Sequence, residues 1–371
     1  YTAGEDPRFV GAPQTFYTRK TNNSSTTANA WSDPNSWSFT ETQGPANTAG
    51  EIPGAGDIVI FGAHDSDRHG FASEPIRLAV DIDTEVASAL FEEPEAGESR
   101  ARVFPREGTN HNWGFLGGSD GEIQLFFTSS ADVPTFDMQS DLGEFLSNPN
   151  STWNLSHQGG LGDGANLVTM PAFPAEFPTL RVTGSENPAP DLWSNRNILT
   201  FQTDVEVNNS LQVANTAGLL VTNDISIQNN LDVGVGFGNG AVRIDNNDSH
   251  RISIGGDLRI NGNSGGRSGD SFLEVEGGGS AIEHRIIVDG NIELLEDNTA
   301  DGNDAFLDLF SATGQDNAIL ELAGNNDGVL SSSTNQTPDL YRLVVNKGSD
   351  QNTTFTINDD FNLNATASGA T

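Results

Sequence analysis

The chain has 371 residues, with 52 acidic against 17 basic side chains and a formal net charge of −35. That balance excludes direct nucleic-acid binding, which needs clustered Lys and Arg. The absence of cysteine excludes disulfide staples, thiolate metal sites and Cys nucleophiles. No run approaches the roughly 18 apolar residues of a membrane-spanning helix. Abundant Gly, Asn, Asp, Ser and Thr, with no sustained helical periodicity, predicts a turn-rich all-β protein with a sizeable core. Lys20 and Lys347 are the two lysines, and such an acidic surface suits high salt, where self-repulsion is screened. A start at Tyr1 without methionine or leader reads as a processed or partial chain.

In chain order, residues 1–16 read as an extended arm, with an unstructured terminus as the competing reading. Trp31 and Trp37 bracket Asp33-Pro34-Asn35, a turn, and Pro53, Gly54, Gly56 and Asp57 form a second turn feeding the strand Ile58-Val59-Ile60. The tryptophans are suited to cover the open apolar end of a first coil, so 1–50 is read as arm and cap and 51–371 as the coiled body. "AHDSDRHG" gathers His64, Asp65, Asp67 and His69, able to bind a transition metal, but His64 follows a strand directly and is read as a turn residue. Residues 93–176 are read as further β coils with a large decorated loop. Trp113, in the loop expected at 101–121, is a candidate sugar platform, a packed core tryptophan being the alternative.

The C-terminal half repeats one phrase: "VEVNNSLQV" (205–213), "ISIQNNLDV" (225–233), "ISIGGDLRI" (252–260), "IIVDGNIEL" (286–294) and "FTINDDFNL" (355–363). Each is apolar-x-apolar, three turn-formers, apolar-x-apolar, hence strand, sharp corner, strand. The Gly and Asn of the corners are expected to supply positive φ. Copies lie 20, 27, 34 and then 69 residues apart, the last gap wide enough for one degenerate copy. Unequal spacing in this range predicts a parallel β-helix whose loops vary, here 234–250, 261–272 and 295–304. An antiparallel sandwich of short strands is the competing fold. A larger repeat pairs 177–213 with 338–363, and no polar cap follows Leu363, so the body is expected to continue beyond residue 371 or to stack head to tail.

The cap and repeat segments carry a resemblance. "WSDPNSW" followed by "PGAGDIVI", together with "YRLVVNKGS" (341–349) and "FPTLRVTGS" (177–185), resembles the large secreted surface proteins of the Bacteroidetes. In these a W-x-W element and a P-x-x-G-D-x-V-x-I strand open a right-handed parallel β-helix. The likeness covers 15–92 and 177–363. It implies a right-handed parallel β-helix with an N-terminal cap, an extracellular or cell-surface location, an adhesin-like role and the type IX secretion route, although no C-terminal sorting domain is visible.

Three chemistries are weighed on this scaffold. "DNTADGNDAFLD" places Asp297, Thr299, Asp301 and Asp308 at positions 1, 3, 5 and 12 of an EF-hand-like Ca2+ loop, with Gly302 at position 6. Thr at position 3 and Asp at position 12 depart from that pattern, and a solvated loop is the alternative. The single "GGLGDG" (159–164) lacks the tandem copies of a calcium β-roll. Outward acids Asp232, Asp257 and Glu293, with Arg259, are the candidates for polysaccharide lyase or hydrolase chemistry if they converge on one face. The expectation is a non-catalytic adhesin or structural stalk whose partners are polysaccharides, surfaces or copies of itself. A self-assembling filament subunit and a polysaccharide-degrading enzyme are the alternatives.

Overall fold

A computed structural model describes residues 14–19, 29–42, 44–54, 56–61, 77–82, 84–86, 88–91, 102–105, 113–115, 122–127, 152–157, 166–170, 176–184, 193, 196–234, 238–262, 270–276, 282–295, 304–311, 317–333, 336–348 and 353–364. They form strands joined by turns, with one short 3-10 turn at Pro34–Ser36. Two compact units are present: 1–126 with 131–154, and 127–130 with 155–371.

In the first unit Thr15–Thr18, Ile58–Phe61 and Ser88–Phe91 lie parallel in one sheet. Asn29–Ala30, Arg77–Val80 and Arg102–Pro105 form a second. Thr84–Val86 pairs with Trp113–Phe115 in a third. The first sheet is edged by Trp37–Ser38, which runs antiparallel to Thr15–Thr18 and occupies that strand's outer side. Asp33 fixes the approach to this edge: its carboxylate accepts the Asn35 N–H at 2.9 Å while Pro34 starts the 3-10 turn. Trp31 and Trp37 are wholly buried, their rings 4.9 Å apart and edge-to-face, and Trp37 Nε1 donates to the Trp31 carbonyl at 2.9 Å. These buried tryptophans lie where the sequence placed the N-terminal cap. At the second turn Asp57 accepts from Gly54 N at 2.9 Å and from Gln14 N at 3.1 Å, holding the loop against the first strand.

The second unit is a three-faced parallel β-helix. Its first face comprises Glu176–Phe177, Val205–Val207, Ile225–Ile227, Arg251–Ile254, Glu283–Val288, Asn317–Leu322 and Arg342–Val345. The second face includes Thr179–Thr183, Leu211–Ala214, Leu231–Val233, Leu258–Asn261, Ile292–Leu295, Gly328–Ser332 and Phe355–Ile357. The third face runs Asn166–Met170, Asn197–Phe201, Ala217–Val221, Ala241–Ile244, Ser271–Val275, Ala305–Asp308, Asp339–Leu340 and Asn362–Leu363. Every coil visits the faces in that order, and each strand pairs in parallel with its counterpart one coil away.

The core is built of like-on-like columns. Val207, Ile227, Ile254, Val288 and Leu322 stack in register on the first face, each at most 2% exposed. Leu211, Leu231, Leu258, Ile292 and Leu330 do the same on the second. Period-two alternation puts these inward, and each such burial stabilises by about 1.5–3 kcal/mol.

Two expectations about the repeat are corrected. The first four phrases are first-face strand, corner, second-face strand. The fifth, 355–363, falls one corner later: Phe355–Ile357 is on the second face and Asn362–Leu363 on the third. The copies that occupy its place are Asn317–Leu322 with Gly328–Ser332, inside the long gap, and Arg342–Val345 with Phe355–Ile357. All corners demand similar chemistry, so a phrase alone does not identify which corner it turns. The 234–250 segment is also not wholly loop, because Ala241–Ile244 is a third-face strand paired with Gly218–Val221.

The corner glycines divide: Gly324 and Gly348, at the corner between first and second faces in the last two described coils, have φ of 80° and 71° as expected, but those of the repeated phrases do not. Gly255, Gly256 and Gly290 lack positive φ. A Cβ on Gly255 would stand 2.3 Å from the Gln228 carbonyl, and one on Gly290 2.6 Å from the Gly256 carbonyl. Glycine is required there by the close approach of the coil beneath, not by backbone handedness.

Candidate functional site

The acids singled out in the sequence do converge. Asp232, Arg259 and Glu293 occupy one outward column of the second face, in register on three successive coils, and Asp257 lies at the corner before Arg259. The guanidinium reaches all three carboxylates: Asp257 Oδ2 at 2.6 Å, Glu293 Oε2 at 3.3 Å and Asp232 Oδ1 at 3.6 Å. The column continues below as Gln212 and Arg181, whose Nε donates to Gln212 Oε1 at 2.9 Å. Side-chain period two and exact inter-coil register make this meeting inevitable once the strands are aligned.

Burial pushes the Asp232 carboxyl above its usual range, Arg259 pulls it back, and Asp257 and Glu293 add to the rise. Partial burial works against the charge of Arg259, but the three carboxylates outweigh it and hold the guanidinium charged. A guanidinium held so is a poor proton acceptor, and Asp257 is further engaged because its Oδ1 accepts the Asn291 N–H at 2.8 Å. The constellation is an inter-coil charge ladder.

The same device recurs on the other faces. Arg243 donates through Nε to Glu274 at 2.7 Å and lies over the Trp193 ring, 4.5 Å from its centre. Arg285 pairs with Glu321 at 2.7 Å and Arg342 with Glu283 at 2.5 Å. Glu276 is raised by burial and then by sharing a hydrogen bond with Asp245, one coil below. These pairs escaped the sequence because their offsets depend on loop lengths that no motif states. The one available signal was the offset of the phrases themselves, which places Asp232 over Arg259 and Arg259 over Glu293.

Of the four candidate Ca2+ ligands, Asp308 alone falls among the described residues; Asp297, Thr299 and Asp301 lie outside them, as do His64, Asp65, Asp67 and His69. Asp308 ends the third-face strand Ala305–Asp308, in register with Glu274 and Asp339. Burial raises its carboxyl, the Phe310 N–H at 3.2 Å lowers it, and the neighbouring charges of Asp339 and Glu274 raise it further. Among the described residues no three His, Asp or Glu side chains are grouped to hold a metal ion. Trp113 opens the strand Trp113–Phe115, so its backbone belongs to a sheet and not to a loop; its side chain lies outside what is described. Among the described residues no helix is long and apolar enough to cross a membrane.

Comparison with protein families, curated proteins and solved structures returns no match to this chain.

Proposed function

We propose that the chain is a non-catalytic structural and adhesive segment of an extracellular surface protein, a β-solenoid that presents loops and faces to glycans, surfaces or copies of itself. The observation that carries this reading is the engagement of the outward charges in one another. Arg259 binds three carboxylates, Arg243 and Arg285 each bind one from the next coil, and Arg342 binds Glu283 two coils away. Groups fixed in this way hold coils in register and are not poised to exchange protons with a substrate. The resemblance of the Trp31–Trp37 element and the following strand to Bacteroidetes surface proteins supports the location.

A subunit that assembles into a filament is the alternative reading. The test is retention of the purified chain on a panel of immobilised polysaccharides with and without Ca2+, alongside sedimentation against protein concentration. Retention supports an adhesive role, Ca2+-dependent retention would implicate the 297–308 loop, and concentration-dependent growth without retention favours the filament.

A further inference from the structure

The first face carries a shallow groove of about 430 Å³ across the coils of Val205–Val207, Ile225–Ile227 and Arg251–Ile254. Its polar lining is Asp204, Glu206, Asp224, Ser226, Arg251 and Ser253. Two of these have a structural task for one oxygen only: Asp204 Oδ1 accepts the Asp224 N–H at 3.1 Å, and Asp224 Oδ1 accepts the Arg251 N–H at 2.9 Å. That leaves the second oxygen of each carboxylate turned to solvent.

Arg251 differs from its neighbours. It shares a column with Arg285, and Arg342 follows in the same column. Those two are held by Glu321 and Glu283. Arg251, which lines the groove, donates Nε to Ser253 Oγ at 2.9 Å and, among the described residues, is held by no carboxylate, which leaves its two terminal nitrogens as donors. Glu206 and Ser226 are exposed and stand in register one coil apart. Arg243, Arg259, Arg285 and Arg342 are engaged by acids; here a cationic donor, three carboxylates and two hydroxyls line one concavity.

We propose that this groove is the glycan-contact site of the chain and that it takes a neutral, hydroxyl-rich polysaccharide. The inference rests on the adhesive reading above and names its site and ligand class. Vicinal hydroxyls donate to the free oxygens of Asp204, Glu206 and Asp224 and accept from Arg251, bonds strengthened by the charge on the protein partner. Three acids against one arginine repel a polyanion, which decides for a neutral chain over a uronate or sulfated one. The lining spans three coils spaced about 4.8 Å apart, so consecutive sugars of one strand meet it in succession. Such open sites bind weakly one at a time and gain by repetition on a surface.

The test is affinity electrophoresis in gels containing laminarin or dextran as neutral probes and alginate or pectate as acidic ones. Wild type is run beside Arg251→Ala, Glu206→Gln and Arg285→Ala, with thermal melts to confirm that each is folded and a reducing-end assay on every mixture. Expected are retardation in a neutral gel, about tenfold weaker binding for Arg251→Ala and Glu206→Gln, and no change for Arg285→Ala. Equal retardation of all four proteins, retardation only in acidic gels, or none in any gel overturns the groove. New reducing ends from wild type would instead overturn the non-catalytic reading on which it rests.

Discussion

At Asp232, burial and pairing pull in opposite directions. The side chain is 9% exposed and its ion pair with Arg259 is long, at 3.6 Å, so desolvation wins and the carboxyl is held above its ordinary range. Glu276 and Asp308 are raised for the same first reason. A carboxyl whose folded pKa exceeds its unfolded value binds more protons in the folded state, so stability rises as pH falls through the folded pKa towards the ordinary 3.8 or 4.5. Asp327, lowered by its bonds from Thr354, acts the other way and loses its contribution below 3.8. Melting followed by circular dichroism is therefore expected to peak on the acidic side of neutrality, above about pH 4, and Asp232→Asn should shrink the gain between pH 8 and pH 5. Arg259→Ala leaves three carboxylates facing one another and should cost roughly 2 kcal/mol in urea unfolding at pH 7, after allowing for its partial exposure. Asp232→Asn should fall within about 1 kcal/mol of wild type there, since it removes a buried charge along with its pair.

At the scale of the element, the corner between first and second faces is held by a side-chain column. Ser210 Oγ accepts the Asn230 N–H, Asn230 Oδ1 that of Asp257, Asp257 Oδ1 that of Asn291, and Asn291 Oδ1 that of Val329, over 2.8–3.4 Å. Each bond satisfies a backbone donor that the strand ladders leave out. Asn230→Ala orphans the Asp257 N–H and should cost about 1–2 kcal/mol, whereas Gly290→Ala drives a Cβ against the Gly256 carbonyl and should cost about 1–3 kcal/mol. Chemical denaturation of the two variants checks both. Here the sequence was most legible, because apolar-x-apolar on either side of a polar triplet has few other structural meanings. The third face was not read as a regular element: Ala241–Ile244 and Ala305–Asp308 are four residues each and sit at no fixed offset from the phrases, since variable loops precede them. The slip at 355–363 has the same origin. Asp232, Arg259 and Glu293 share the eighth position of their phrases; coil register turned that shared position into contact, and Arg259 between the acids decided what the convergence does.

For the whole molecule, 52 acids face 17 cations, so acids outnumber basic groups about three to one and self-repulsion is expected to outweigh the ion-pair ladders. Salt weakens both, and the larger effect is expected to win. The melting temperature should rise from 10 mM to 1 M NaCl, and scanning calorimetry across that range measures it. A fall would mean that the arginine ladders dominate. The same arithmetic accounts for why the few cations are set where they serve most. Lys347, one of two lysines, donates to the carbonyls of Asp289 and Asn326, and burial lowers its pKa.

The most direct test of a solenoid whose outward charges serve structure and not catalysis is a reducing-end assay. Wild type and Asp232→Asn would be incubated, with and without Ca2+, against neutral and acidic polysaccharides at pH 5 and pH 7. The account predicts no new chain ends from either protein under any condition. Release of ends by wild type that folded Asp232→Asn no longer produces would contradict it and make the Arg259 cluster an active site.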